Sequence, residues 1–567
     1  MNIRWVARLI CFSVLLAGIA TWPQNQTLVI EGGTLIDGRG GAPIQNAVIV
    51  IQGSRIKVVG EKGKVSVPAG AKIIQEDGKT ILPGLFDSHI HYRDFYPPMF
   101  LHYGITTVYD TANPTDYIIA QRDMINHGKM KGPRMFVTGL AVDGPVERSD
   151  MASGSEVGGY NAHVVTVEEA KALVKSNIAR GVDLIKVHEG LTSELLKSAV
   201  DEATSKAIPV VGHSENIREA TLAGLKFMEH TRPLWRAVIQ AESQKKLDDI
   251  DEKKIESAEY LMDPKYFPPL IKLMVSKGVF INPTLSAQWQ ASNPRAGEWA
   301  KAAAELAKDP GLAFVPEEVR QSWTRPPRKP DPKHAEELAE GFKKVQEFVR
   351  QYAAAGGKLT AGTDTTGYAT GFSVSFEMQS LVDCGATPMQ AIEAVTKWAA
   401  ELAHKEKNLG TVEPGKVGDI TVIDGDPLKE ITAIRNVVLV VKDGEVVDTT
   451  YDPKFVNPIP RTALNGQLKG PDNGPELTGL SPIAPSMVTQ GNKDVTIQLT
   501  GKRFTPQSVV HFGSSELATK FVGDTKLTAV VPSANLEKVG SYKITVVDPS
   551  AATPTSNFRW FIVNFKY

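Results

Sequence analysis

From about residue 80 to residue 414 the chain keeps one rhythm, a short apolar run followed by a stretch with helical spacing, as in "TVEEAKALVKSNIARG" and "TSELLKSAVDEATSKA". Strands separated by helices cannot pair as tight hairpins and need parallel crossovers. Roughly 330 residues of such alternation predict an α/β architecture, a (β/α)8 TIM barrel with an outer ring of helices. The segments on either side read differently. "TLVIEGGTLIDG" and "NAVIVIQGSRIKVVG" before the barrel, and "GDITVIDGDP" and "NVVLVVKDGEVVD" after it, alternate apolar and polar residues between Gly turns. That pattern predicts paired strands, so residues 25–79 and 415–451 are expected to meet as one small composite β-sandwich interrupted by the barrel at 80–414.

Residues 452–476 ("DPKFVNPIPRTALNGQLKGPDNGPE") are rich in Pro, Gly and Asn and read as a linker. Beyond them, evenly spaced runs such as "DVTIQLTGKRF", "GSYKITVVDP" and "NFRWFIVNF" predict an antiparallel, Ig-like β-sandwich over 477–567. Between about Pro233 and Lys358 lies a charged, Pro-bearing, mostly helical stretch, expected to be an insertion serving as a lid over the site or as an outer elaboration.

The first residues, "MNIRWVARLICFSVLLAGIATWPQ", combine Arg4 and Arg8 with an apolar run from Leu9 to Ala20 that is too short to span a bilayer. Residues 1–20 are read as a signal peptide and the mature chain as exported, periplasmic or extracellular, with no membrane contact after cleavage. Of the two cysteines, Cys11 lies in that segment and Cys384 is expected to be buried and inert, so no intramolecular disulfide framework forms. A formal net charge of -1 gives no electrostatic footprint for nucleic acid. With 42% hydrophobic residues the chain has the composition of a folded protein, compatible with a homo-oligomer; a small-molecule partner is expected from the site residues that follow.

Barrel enzymes carry their reactive groups where strands end. Ionisable residues close apolar runs at five places: His89 and His91 in "LPGLFDSHIHYRDF", Lys186 in "GVDLIKVHEG", His213 in "AIPVVGHSEN", His230 in "LKFMEHT" and Asp364 in "KLTAGTD". His89 and His91 stand two apart, so on a strand they share one side and suit one metal ion. Each residue alone has a dull reading: a snorkelling lysine, core-edge histidines, a helix cap. Five such places in barrel order are a joint signal.

With "YGITTVYD", "TAGTD" and "LGTVEPGKVGDITVIDGDPL", these residues resemble the amidohydrolase superfamily, in the branch with two metals bridged by a lysine, and especially its imidazolonepropionase-related and prolidase-like members. The resemblance covers about Thr27 to Asp448. It implies that His89, His91 and Asp364 bind one metal, that His213 and His230 bind a second, and that Lys186 bridges both as a carbamate formed with carbon dioxide. A lysine beside two cations in a desolvated site loses its proton readily. Four imidazoles with oxygen donors suit two divalent ions, with zinc first. Ions so placed lower the pKa of a shared water toward ~7, and Asp364 is the catalytic group that takes its proton and passes it on. The expected activity is hydrolysis of an amide or peptide-type C–N bond in a dipeptide, a prolidase-like substrate or an N-acyl amino acid. Alternatives are a one-metal deaminase or cyclic-imide or lactone hydrolase on the same barrel, and a non-catalytic surface-binding protein.

His188 stands two beyond Lys186 and is a candidate substrate contact. Tyr109 in "TTVYD" occupies a place where many members of the resembled family carry arginine, a departure that argues against an inherited substrate-carboxylate contact. His102, Tyr103 and "NPTLSAQW" are candidate pocket walls. The last module resembles an IPT/TIG domain, which implies a spacer or a protein- or glycan-contacting role.

Overall fold

The computed structural model describes residues 27–144, 161–231, 234–240, 258–290, 292–326, 329, 331–332, 334–365, 369–461, 471, 473–478 and 482–567. Residues 1–20, where a signal peptide is expected, and the middle of the Pro-rich segment lie outside the described residues.

The N-terminal strands β1 (Thr27–Glu31), β2 (Thr34–Leu35), β3 (Ala47–Gln52), β4 (Arg55–Glu61), β5 (Lys72–Gln75) and β6 (Thr80–Pro83) precede the barrel. One sheet runs β4-β3-β1-β5. The other contains β2 and β6, and β6 pairs antiparallel with Ile420–Ile423, placing Ile420 opposite Pro83. Between the sheets sit Leu28, Ile30, Ile49 and Ile51 from the N-terminal side and Val412, Ile420, Val422 and Val441 from the other. Neither half could bury its apolar face alone, which is why strands more than 300 residues apart in sequence close one core.

The barrel begins with β7 (Leu85–Ile90), β8 (Ile105–Asp110) and β9 (Arg134–Val137), three parallel strands. Next come β10 (Ala141–Asp143) and β11 (Asn161–His163), an accessory pair at the rim, followed by β12 (Ile185–Val187), β13 (Val210–Gly212), β14 (Phe227–Glu229), β15 (Phe280–Asn282) and β16 (Lys358–Leu359), all parallel. The ring closes between Asp183 N and Val137 O at 2.9 Å on one side and between Ser88 N and Ala361 O at 3.0 Å on the other. Eight staves result: β7, β8, β9, β12, β13, β14, β15 and β16. Their short lengths and apolar content fit strands buried on both faces.

One expectation is corrected. Residues 233–358 are not an insertion: they include stave β15 and the long amphipathic helix Ala335–Ala354, whose Phe348 packs edge-to-face on Phe267 of helix Phe267–Ser276, at 5.2 Å. The stave is only three residues long and lies between helical segments, so its period-two signal is too short to stand out.

The C-terminal module packs two sheets: in pairing order, Glu476–Leu477, Val495–Lys502, Lys526–Val531 and Ala518–Gly523 form one, and Met487–Thr489, Arg559–Asn564, Gly540–Val547, Val509–Phe512 and Ser515–Glu516 form the other. Ile497, Leu499, Leu527, Ile544, Val546 and Phe561 fill its core. It docks on the barrel helix Thr115–Asn126: Tyr567 stacks on His127 at 4.1 Å, and Ile562 belongs to the barrel's own apolar cluster. Among the described residues no helix is long and apolar enough to cross a membrane.

Candidate metal centre

The carboxyl ends of five staves converge. His89 comes from β7 and His91 from just beyond it, Lys186 from β12, His213 from just beyond β13, His230 from just beyond β14, and Asp364 from beyond β16. Two sets of three side chains each bring one ligand atom apiece to within 4.8 Å of one another: His89, His213 and His230, and His89, His91 and Asp364. His89 is common to both. Its ring centre lies 5.0 Å from that of His230 and 5.4 Å from that of His91, and His213 and His230 are 4.3 Å apart. Asp364 Oδ1 is 3.4 Å from His89 Nε2 and 3.2 Å from His91 Nε2.

The backbone is shaped to allow this. His230 and Asp364 adopt positive φ, 67° and 55°, in the left-handed region that non-glycine residues avoid. Such strain persists only where surroundings over-determine it, and it collects at functional sites. Asp364 N donates to His89 O at 2.8 Å, and His91 N to Thr365 Oγ1 at 3.1 Å, so the last stave is pinned to the first. Below them the buried Asp87 accepts from Thr363 N at 3.1 Å and Thr363 Oγ1 at 2.7 Å. Gly362 passes so close to β7 that a Cβ there would lie 2.4 Å from the Cβ of His89, which explains a glycine between Ala361 and Thr363. His230 is oriented by Thr284 Oγ1, 2.5 Å from Nδ1, and Thr284 belongs to the segment "NPTLSAQW".

Two features were not anticipated. Glu229, adjacent to His230, turns into the barrel and forms an ion pair with Lys186. Its other neighbours are His89 Nδ1 at 3.4 Å and His213 Nε2 at 3.6 Å, so Lys186 reaches the imidazoles through this carboxylate. Phe227 and Glu229 alternate on β14, and that period-two step beside a strand-end histidine is the signal that could have found it. The second is Asp143, fully buried on β10, whose carboxylate lies 3.3 Å from His188 Nδ1. The His188 ring sits 4.5 Å from that of His213, at the edge of the cluster.

The other candidate walls differ. Tyr109 is buried and donates to Ala399 O at 2.6 Å, on the barrel's outer side. His102 stacks on Tyr451 and bonds Thr449 O at 2.9 Å, while Tyr103 packs on Phe372. These are packing contacts outside the histidine cluster. Cys384 is buried, and burial pushes its thiol pKa up.

Electrostatics suits cations. Burial and the Lys186 charge hold His89 and His213 well below the usual histidine range, so both rings are neutral and free to ligate. Burial also opposes ionisation of Asp364, but the hydrogen bond from His91 and the surrounding positive charge outweigh it and its pKa is lowered. Burial raises Glu229, offset in part by Lys186.

The donor chemistry tests whether metal ions fit. Among the described residues, neither ring nitrogen of the fully buried His89 has a hydrogen-bond partner, nor does His213 Nε2, nor Glu229 Oε1. Buried polar atoms are satisfied with few exceptions, so several unsatisfied imidazole and carboxylate atoms at one point are a ready-made coordination shell. The residues fit.

A family model described as the amidohydrolase family matches residues 80–447. The chain belongs to the amidohydrolase family. Its last module matches the IPT/TIG domain over residues 475–559. This amidohydrolase is 26% identical over 204 residues to a dihydroorotase of Lactobacillus helveticus, a match covering 34% of this chain and 42% of that relative's length. Among solved structures it resembles a Xaa-Pro dipeptidase with methionine bound in the active site (TM-score 0.54, 24% identity, 75% of this chain and 100% of that one). It also resembles a putative prolidase from Bifidobacterium longum (TM-score 0.55, 22% identity, 76% and 97%). At such identities the amidohydrolase fold is what the likeness establishes.

Proposed function

We propose that the protein is a metal-dependent hydrolase of an amide or peptide-type C–N bond, with a dipeptide, a prolidase-like substrate or an N-acyl amino acid as its substrate class. The observation that carries this is the pair of three-residue clusters sharing His89. Two divalent ions, zinc by donor type, are the expected occupants: one held by His89, His91 and Asp364, the other by His213 and His230. Lys186, buried with its Nζ beside Glu229, is the residue on which carbon dioxide would form a bridging carbamate. When bound, such ions supply Lewis acidity and make water ionisable near pH ~7.

The chain supplies the rest. Asp364, whose Oδ1 lies 3.4 Å from His89 Nε2 and 3.2 Å from His91 Nε2, is placed to take a proton from the attacking water and return it to the departing amine. The strained backbone at His230 and Asp364 fixes both side chains before substrate arrives. The dipeptidase and prolidase likeness, which runs over 100% and 97% of those chains, agrees with the peptide-type reading at the level of the shared fold. Export through the N-terminal signal, and a protein- or glycan-contacting role for the C-terminal module, belong to the same proposal.

A second reading, a one-metal deaminase or cyclic-imide or lactone hydrolase, is favoured by one observation. Glu229 lies against Lys186 and also 3.4 Å from His89 Nδ1 and 3.6 Å from His213 Nε2, so a carboxylate already stands among the imidazoles without any modification of Lys186. Metal analysis separates the two. The binuclear reading expects about two equivalents of transition metal per chain after metal-replete purification; one equivalent or less would favour the one-metal enzyme. Screening the loaded protein against dipeptides, N-acyl amino acids, lactones and imides then reads the substrate class.

A further inference from the structure

The segment Asn457-Pro458-Ile459-Pro460-Arg461 has the composition of a tether but the burial of a strand. Its five residues alternate buried, half-buried, buried, half-buried, buried. Prolines at 458 and 460 fix φ and favour extended backbone at the residue before each. Asn457, Ile459 and Arg461 are therefore turned the same way, and that way is toward the barrel.

What they grip is the loop that leaves His91. Asn457 Nδ2 donates to Asp94 O at 2.9 Å, to Gln121 Oε1 at 2.8 Å and to Tyr92 Oη at 3.3 Å. Gln121 Nε2 donates to Ile459 O at 2.8 Å, and Tyr92 Oη donates to Gln121 Oε1 at 2.9 Å. Arg461 N donates to Asp94 Oδ2 at 3.1 Å, and Arg461 Nη1 lies 3.5 Å from Asn113 Oδ1. Asn113 and Tyr92 converge in turn on Asp110 at the end of β8: Asn113 Nδ2 and Tyr92 N both donate to Oδ1, at 2.6 and 2.8 Å. Tyr92 is the residue after His91, and it is almost fully buried.

We propose that Asn457–Arg461 is a positioning strap for the His91 side of the metal centre, so that the chain between the small sandwich and the C-terminal module is part of the catalytic unit. The strap touches no reacting atom. It fixes the backbone after His91 from outside, as supporting hydrogen bonds orient metal ligands elsewhere. Two prolines reduce the conformational freedom lost when it docks. The inference rests on the hydrolase reading for its cobalt and kinetic readouts, and an exchange readout is independent of that reading.

The test uses the full-length chain and Asn457→Asp, which keeps the shape and the acceptor for Ile459 N but removes the donors to Asp94 O and Gln121 Oε1. Amide hydrogen exchange at Tyr92–Asp94 should speed up about tenfold or more. Cobalt(II) affinity and kcat should each fall about tenfold, with an altered cobalt visible spectrum and KM changed far less. Ser486→Ala, at the contact between the C-terminal module and Asp116, should leave all of these at wild-type values. If Asn457→Asp does not fold, Gln121→Glu removes only the donor to Ile459 O and should show the same changes in smaller measure. Wild-type exchange at Tyr92–Asp94, or a wild-type cobalt spectrum and affinity in a folded strap variant, overturns the proposal. A wild-type chain that binds no cobalt counts against the metal centre, and exchange still decides the strap.

Discussion

The mouth of the barrel and the interior of the C-terminal sandwich both bury polar side chains, and they treat them in opposite ways. In the sandwich, Asp548 accepts from Ser508 Oγ at 2.7 Å, from Ser550 N at 2.9 Å and from Thr505 Oγ1, and Asn557 exchanges both bonds with the backbone of Leu477. The unbonded buried atoms there, Ser541 Oγ and Trp560 Nε1, are neutral and separate in sequence. At the barrel mouth the unbonded atoms include both ring nitrogens of His89, Nε2 of His213 and Oε1 of Glu229, and these face one another. Each unsatisfied buried group costs about 1–3 kcal/mol. A chain that satisfies Asp548 so fully and leaves His89 bare on both nitrogens is completed, at the barrel, by something other than itself.

The largest expected effect tests that contrast at its centre. Replacing Lys186 by Ala removes the partner of a fully buried carboxylate, and breaking such a pair costs about 3–5 kcal/mol. If the same lysine carries the bridging carbamate, kcat/KM falls by about a thousandfold or more. The two causes separate experimentally. Added formate or acetate should restore part of the turnover if a missing carboxylate bridge is responsible. Lys186→Met combined with Glu229→Gln should restore stability without activity. Full activity in Lys186→Ala would remove Lys186 from the site.

How much of this could be read from the sequence follows from how local each signal is. The barrel and both sandwiches were legible because their periodicities run for many residues. The residues that meet at the barrel mouth were legible because an ionisable side chain at the end of an apolar run is itself unusual. Glu229 was in plain view in "LKFMEHT", where the period-two step could have marked it, but only the tertiary fold shows that its partner is Lys186. Stave β15 was missed because three residues carry too little pattern against helical flanks. The strap was hidden by composition: the prolines that mark "NPIPR" as linker are the ones that stiffen it into a docked extended segment.

A middle-sized effect concerns a second carboxylate of the barrel, away from the metal cluster. Glu377 is fully buried and accepts from Leu285 N at 2.9 Å and Ser286 N at 2.8 Å, holding the turn from which Thr284 orients His230. Burial raises its pKa to about 7 from the ordinary 4.5, with the two backbone donors opposing. A raised folded-state value means the contribution is whole below pH 4.5 and is lost as pH climbs through the folded value. Unfolding free energy of the chelator-treated protein should therefore fall by about 3 kcal/mol between pH 4.5 and 8 from this group. Urea midpoints across that range should show the decline in the parent and a flatter profile in Glu377→Gln. Equal slopes would mean that Glu377 is ionised in the folded protein even at low pH.

The smallest effect carries the comparison to the other region, with its sign reversed. Burial alone would raise Asp548, but hydrogen bonds from Ser550, Thr505 and Ser508 more than offset it and its pKa is lowered. Its contribution is therefore present above the ordinary 3.8 and is lost as pH falls through the folded value, where Glu377 is at its most favourable. Asp548→Ala removes the acceptor of four donors, Thr505 Oγ1, Ser508 Oγ, Ser550 N and Ser550 Oγ, and should destabilise the sandwich by about 2 kcal/mol near neutral pH. The variant should melt earlier by a probe of the C-terminal module, Trp560 fluorescence, while kcat/KM stays within twofold. A polar group fully satisfied by its own chain has structure as its only task, so a metal-loaded Asp548→Ala chain that lost turnover would show that the two regions are not separable in the way their hydrogen bonds suggest.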